Sequence, residues 1–205
     1  MELLPLSFVT GWSSGLNAYA TVLVLGLIER IHPMAEIPDT LARLDVLIIA
    51  GVLFALEFFA DKIPYVDSVW DSISTVIRPV VGATIGALLA GANGDLWTIM
   101  LASVGGITAL VSHLTKASIR LAVNTSPEPV SNIGTSMAED TAVITATALA
   151  VTVVNPVVIA VVVAVLLIAG VALAIHLMTR VRRGWRAFRR WWSRRGGVPE
   201  AGPDV

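Results

Sequence analysis

The sequence predicts an all-α fold, a polytopic membrane bundle of about six transmembrane helices. Three observations predict it. Of 205 residues, 56% are hydrophobic and 14% charged, against about 45–50% and 25% in an ordinary soluble domain. Mean hydropathy is +0.80. The apolar residues fall into runs near the length of a bilayer crossing, separated by short polar punctuation. A cytosolic globule is therefore not expected. The length suits one domain, and the charge pattern subdivides the chain into a membrane domain over 1–179, a basic amphipathic juxtamembrane helix over 180–195 and a disordered tail over 196–205.

The first crossing reads as Leu6 to Ile28, closed by Glu29 and Arg30. Glu2 stands where a secretory signal carries positive charge, so this segment is read as a retained helix. Leu44 to Ala60 is the second, and Pro79 to Ala92 the third, short enough to need Ile73 to Ile77 or a thinned bilayer. Leu96 to Leu114, Ala142 to Val154 and Val157 to Met178 complete the set. Only Asn155-Pro156 divides the last two, and one helix from Ala138 to Met178 would run about 60 Å. Either the chain turns back at this pair or Pro156 kinks a tilted helix. Six crossings is the count, with five as the alternative.

Six crossings place both termini on one side, together with Lys62, Arg78, Lys116, Arg120 and the eight arginines from Arg180 onward, leaving Arg30 and Arg43 opposite. The excess of Lys and Arg predicts cytoplasmic termini in a multi-pass protein of the cell membrane. Ser14-Gly15-Leu16-Asn17-Ala18-Tyr19 echoes Gly105-Gly106-Ile107-Thr108-Ala109-Leu110, and Ile77-Arg78-Pro79-Val80-Val81 echoes Val154-Asn155-Pro156-Val157-Val158. Two readings stand: two inverted three-helix repeats, or chance likeness in an Ala- and Val-rich chain.

Ionisable residues within apolar segments are costly, about 2.5–3.5 kcal/mol each at mid-helix, and so mark candidate sites. Glu57 and Asp61, like Asp67 and Asp71, stand four apart on one helix face. Such like-charged pairs suit a hard cation or a proton, or are neutralised at the interface by Lys62, Arg78 or another helix. His113, Lys116 and Arg120, continued by Asn124, form a basic stripe on one face. It reads as the counter-charge of those acids, as an anion or phosphate-headgroup cradle, or as an ordinary positive-inside flank. Ser136 and Glu139 have capping-box spacing. That leaves Asp140 unexplained, with Thr141, Thr145 and Thr152 either lining a path or bonded back to their own helix. Asn17 reads as a packing amide, and Asn124 to Asn132 as a rigid turn-rich connection.

Beyond the last span, Trp185, Phe188 and Trp192 recur at helical spacing among Arg186 and Arg189, the pattern of a helix anchored on an anionic inner leaflet. Nucleic acid is not the expected partner. The chain has no cysteine, no Walker loop, no H-E-x-x-H and no dinucleotide fingerprint, so neither an enzyme nor a cofactor is predicted.

G-L-N-A-Y at Gly15 to Tyr19, E-F-F-A-D-K-I-P-Y-V-D-S-V-W-D at Glu57 to Asp71, I-R-P-V-V-G at Ile77 to Gly82, H-L-T-K-A-S-I-R at His113 to Arg120 and S-M-A-E-D at Ser136 to Asp140 occur in order. Together they resemble the membrane family catalogued as domain of unknown function 4126, over most of Gly11 to Ala174. The resemblance implies a polytopic membrane protein and brings no activity with it. A looser similarity of chemistry links E-F-F-A-D-K to the E-x-G-D-K of cation/proton exchangers; here the spacing is one residue longer and the Gly is missing.

The expected function is a small transporter or channel-like protein for an ion or small solute, its site lined by Glu57, Asp61, Asp67, Asp71 and Asp140 with His113, Lys116 and Arg120. The alternative is a non-transporting module that binds anionic lipid or scaffolds partners. The metal and the oligomeric state are left open.

Overall fold

The computed structural model describes residues 3–63, 66–123, 129–152 and 155–195. Among them are α1 (Leu3–Leu16), α2 (Ala18–Ile31), a 3₁₀ turn (Asp39–Ala42), α3 (Leu44–Ala60), α4 (Val66–Ala90), α5 (Asp95–Val123), α6 (Pro129–Thr152) and α7 (Pro156–Arg195), and no strand. Three are long and apolar enough to cross a membrane, over Val66–Ala90, Asp95–Ala122 and Pro156–Trp191.

Proline opens both α6 and α7, where its missing N–H and fixed φ suit a first helical position. Residues 129–132, expected in a rigid connection, therefore begin a helix, while 124–128 lie outside the described residues. Asn155 caps α7, its Oδ1 accepting from Val157 N at 3.0 Å. Ala138 and Gly170 line one cavity of about 480 Å³, whereas a straight helix would separate them by about 48 Å. The chain turns back at Asn155-Pro156.

The expectation of one helix over Leu6 to Ile28 is corrected. Asn17 adopts an extended backbone, φ −152° and ψ 100°, between α1 and α2. Asparagine is a poor interior residue and a strong N-cap because its side chain competes for backbone partners; here Oδ1 accepts from Ala20 N at 3.0 Å. The arms then run in opposite directions. α1 follows α5, with Ser7 Oγ donating to Leu101 O at 2.7 Å and Ser112 Oγ to Trp12 O at 2.8 Å. Gly11 backs onto Gly105 between these bonds, and Lys116 Nζ donates to Leu16 O at 2.9 Å below them. α2 follows α6, from Asn17 on Asp140 to Ile28 beside Val151. Since α6 folds back on α5 to bring Glu139 to Lys116 and Arg120, α2 opposes α1. The two form a V of 14-residue arms, each about 21 Å long, with its tip at Asn17.

α3 returns along α2, with Leu47 against Gly26 and Leu23 against Gly51, and ends level with the tip. α1 starts where α5 and α7 start, and α7 finishes at the far end, so Leu3 and Arg195 lie at opposite ends of the bundle. Six straight crossings required them at the same end.

Away from the tip the bundle is held by shape. Gly11, Gly82 and Gly105 bring α1, α4 and α5 into backbone contact, the close approach that small residues allow. Leu6, Val9, Ile85, Leu89, Leu101 and Val163 fill the space beside that seam. Along α7 one face, with Val163, Leu167 and Ala174, packs on the bundle, while Val158, Val161, Val162, Val165, Ile168 and Ile175 stay uncovered by protein.

Candidate functional site

Charged side chains converge where the V ends. α4 contributes Arg78, one residue before Pro79 and 1% exposed. Its guanidinium donates to the Glu57 carboxylate, to Gly15 O at 3.2 Å and to His113 Nδ1 at 2.7 Å, and it lies 3.4 Å from Asp71. Because a guanidinium only donates, Nδ1 of His113 is the acceptor and Nε2 carries the ring proton, given to Thr75 Oγ1 at 2.9 Å. Thr75 in turn donates to Asp71 O at 2.9 Å.

A second knot lies one helical turn further along α5. Lys116 Nζ meets Asp61 at 2.9 Å, Glu139 at 3.2 Å and Glu57 at 3.8 Å. Arg120 meets Asp61 at 2.8 Å, Glu139 at 2.5 Å and Asp67 at 4.0 Å. The helical spacing of His113, Lys116 and Arg120 thus presents one face to acids from α3, α4 and α6. Lys62 turns away, donating to Phe58 O at 2.9 Å and Ser136 Oγ at 3.3 Å, with its ammonium 3.0 Å from the Phe58 ring centroid.

The broken helix adds its own polarity. Carbonyls of Gly15 and Leu16, at the C-terminal end of α1, accept from Arg78 and Lys116. Asp140 sits at the N-terminal end of α2, its Oδ1 accepting from Asn17 Nδ2 at 3.0 Å. Cations meet the negative end of α1, as the helix dipole favours, and the Asp140 carboxyl group meets the positive end of α2.

The structure therefore brings Glu57, Asp61, Asp67, Asp71, Asp140, His113, Lys116 and Arg120 into one cluster. Three further residues belong to it: Arg78, which the sequence marks only as a neutraliser, Asn17, which reads as a packing amide, and Glu139, which has capping-box spacing. α6 begins seven residues before Ser136, so the capping box does not form and Glu139 serves Lys116 and Arg120. The signal for Arg78 was a lone arginine at the head of an apolar run. Thr141 and Thr152 bond back to Met137 O and Ala148 O. Asn124 lies outside the described residues.

Six carboxylates face three deeply buried cations, Arg78, Lys116 and Arg120, with Lys62 at the margin. Glu57 Oε2, Asp61 Oδ1, Asp71 Oδ1 and Asp140 Oδ2 are buried without a hydrogen-bond partner, although Asp71 Oδ1 lies within ion-pair distance of Arg78. Among the described residues no three His, Asp or Glu side chains converge to hold a metal; Arg and Lys interleave them instead.

The basic stretch from Arg180 continues α7 without a break to Arg195. Trp185 and Phe188 are exposed with ring centroids 5.9 Å apart, beside exposed Arg186 and Arg189. The Trp192 side chain and residues 196–205 lie outside the described residues.

These features define a helical protein with helices able to cross a membrane and a buried ionic cluster at the tip of a broken helix. The family profile described as "Domain of unknown function (DUF4126)" matches residues 4–184, and the chain belongs to that family. No curated protein and no solved structure matches it.

Proposed function

We propose that this chain is a small membrane transporter for an ion or small solute, with its site at the tip of the α1–α2 hairpin. The observation that carries the reading is the pair of opposed half-length helix ends meeting a buried charge cluster at Asn17. Discontinuous helices of this kind place dipole ends and unwound backbone at substrate sites in secondary transporters. Depth supports it. From Arg78 to the end of α4 is about 18 Å, and from Gly170, packed on Thr115 beside the cluster, to Met178 is about 12 Å of apolar α7. Their sum matches the hydrocarbon thickness of about 30 Å.

In this reading α3 to α7 cross the membrane and α1–α2 re-enters from one face, giving five crossings. The arginine-rich end of α7 faces the cytoplasm, with Leu3 at the opposite face. The native chain has no cysteine, so Leu3→Cys and Gly184→Cys can be labelled separately with an impermeant maleimide. Labelling from opposite sides is expected; labelling of both from one side overturns the re-entrant topology. A headgroup cradle on His113, Lys116 and Arg120 has less support, because those groups already engage carboxylates, Gly15's guanidinium partner or Thr75. The tail remains the better candidate for contact with anionic lipid.

The functional test is cation-driven proton movement in proteoliposomes, across monovalent and divalent cations. Flux that depends on one cation and is lost in a folded Asp61→Asn variant is expected. Absence of flux with every ion, from folded and inserted wild type, overturns the transport reading.

A further inference from the structure

The buried acids of the cluster are not equivalent. Glu57 and Asp71 pair with Arg78, Asp61 with Lys116 and Arg120, and Asp67 lies 4.0 Å from Arg120. Glu139, partly exposed, pairs with both Lys116 and Arg120. Asp140 is 7% exposed, yet no ammonium or guanidinium lies within ion-pair distance among the described residues. Its side-chain partner is the neutral amide of Asn17.

That amide is oriented by the backbone. Asn17 Oδ1 is taken by Ala20 N–H, so Nδ2 is the group that faces Asp140 and can only donate. Oδ1 of Asp140 is therefore an acceptor, and Oδ2, buried with no partner, is the atom left to carry a proton. The charged groups facing Asp140 from neighbouring elements are Lys62 and Asp61 beyond α3 and Lys116 on α5. Lys62 is held by Phe58 O and Ser136, and Lys116 by Asp61. An unpaired carboxylate in an apolar bundle is far costlier than a neutral acid.

We infer that Asp140 is the proton-binding group of this site, carrying the proton on Oδ2 while Asn17 Nδ2 holds Oδ1. The proton comes from water and returns to it, and the Asn17–Asp140 hydrogen bond links the charge of Asp140 to the tip of the hairpin. Its use in coupling rests on the transport reading; the protonation itself does not.

Infrared difference spectroscopy of the full chain in lipid nanodiscs, titrated over pH, reads buried carboxylic acids by their C=O stretch. A protonated-carboxyl band is expected in wild type and in Asp61→Asn, and lost in Asp140→Asn. In Asn17→Ala the band is expected to persist at a shifted frequency, because a hydrogen bond to the carbonyl oxygen is gone. Absence of the band in wild type, or its persistence in Asp140→Asn, overturns the inference. A second measurement needs no variant: an apolar carbodiimide adds only to protonated carboxyls, and peptide mapping of the treated wild type is expected to place the adduct on Asp140. An adduct on another acid, or none, overturns it. Flux that survives Asp140→Asn overturns the coupling role of Asp140 while leaving the transport reading intact; an Asp140 band in a protein without flux overturns the transport reading while leaving the protonation standing.

Discussion

Two regions of the bundle are built on different physics. At one end α1, α4 and α5 meet through glycine, and what matters is the absence of a side chain. At the other, around Asn17, the same three helices meet through Arg78, Lys116 and the carbonyls of Gly15 and Leu16. The glycine seam tolerates no added atoms, and the ionic cluster tolerates no missing ones. Close packing of backbones needs no partner of opposite sign. A buried charge is costly to desolvate and becomes tolerable only when every neighbour is in place. The cluster accordingly holds the free valences: orphaned oxygens on Glu57, Asp61, Asp71 and Asp140.

The sharpest way to break this contrast is Arg78→Ala. Removing the guanidinium strands Glu57 and Asp71, both buried, and frees Gly15 O and His113 Nδ1. Removing one partner of a buried pair costs about 3–5 kcal/mol, so a large fall in the thermal midpoint in detergent is expected. Adding Glu57→Gln to the same chain is expected to recover part of the loss, since one of the two stranded charges is gone and only Asp71 is left. A single variant as stable as wild type, or a double variant less stable than the single, contradicts an ionic cluster held by mutual neutralisation.

Much of the bundle was legible from period and composition alone. The apolar runs that became α3, α5 and α7 are long and end in charge or proline, and the basic stripe of α5 follows from spacing of three and four. The V was not legible, because Leu6 to Ile28 has no proline or charge to mark a break. The only sign was Asn17, and an asparagine reads equally as packing, capping or lining. Its cap bond to Ala20 N is local, but its second partner, Asp140, lies more than a hundred residues away, and no local pattern carries that contact. Glu139 was misassigned for the opposite reason: a strong local motif pointed to a cap, while tertiary pairing with Lys116 and Arg120 had already set the residue's place. Arg78 is intermediate. Its cost in an apolar run was visible, its partners were not.

The seam offers a smaller and differently shaped effect. A methyl group on Gly82 would stand 2.7 Å from Ala109 Cβ and 2.8 Å from Gly105 O, both below real contact distances. One of those neighbours is backbone, so relief requires α4 and α5 to separate. Overpacking of this kind costs about 1–3 kcal/mol, and Gly82→Ala is expected to lower the thermal midpoint by less than Arg78→Ala does. The distinguishing readout is salt. Nothing charged changes at Gly82, so its deficit relative to wild type is expected to hold constant as ionic strength is varied. A deficit at Gly82 that equals or exceeds the one at Arg78 reverses the ranking, and would mean that helix approach, rather than charge at the hairpin tip, sets the stability of the bundle.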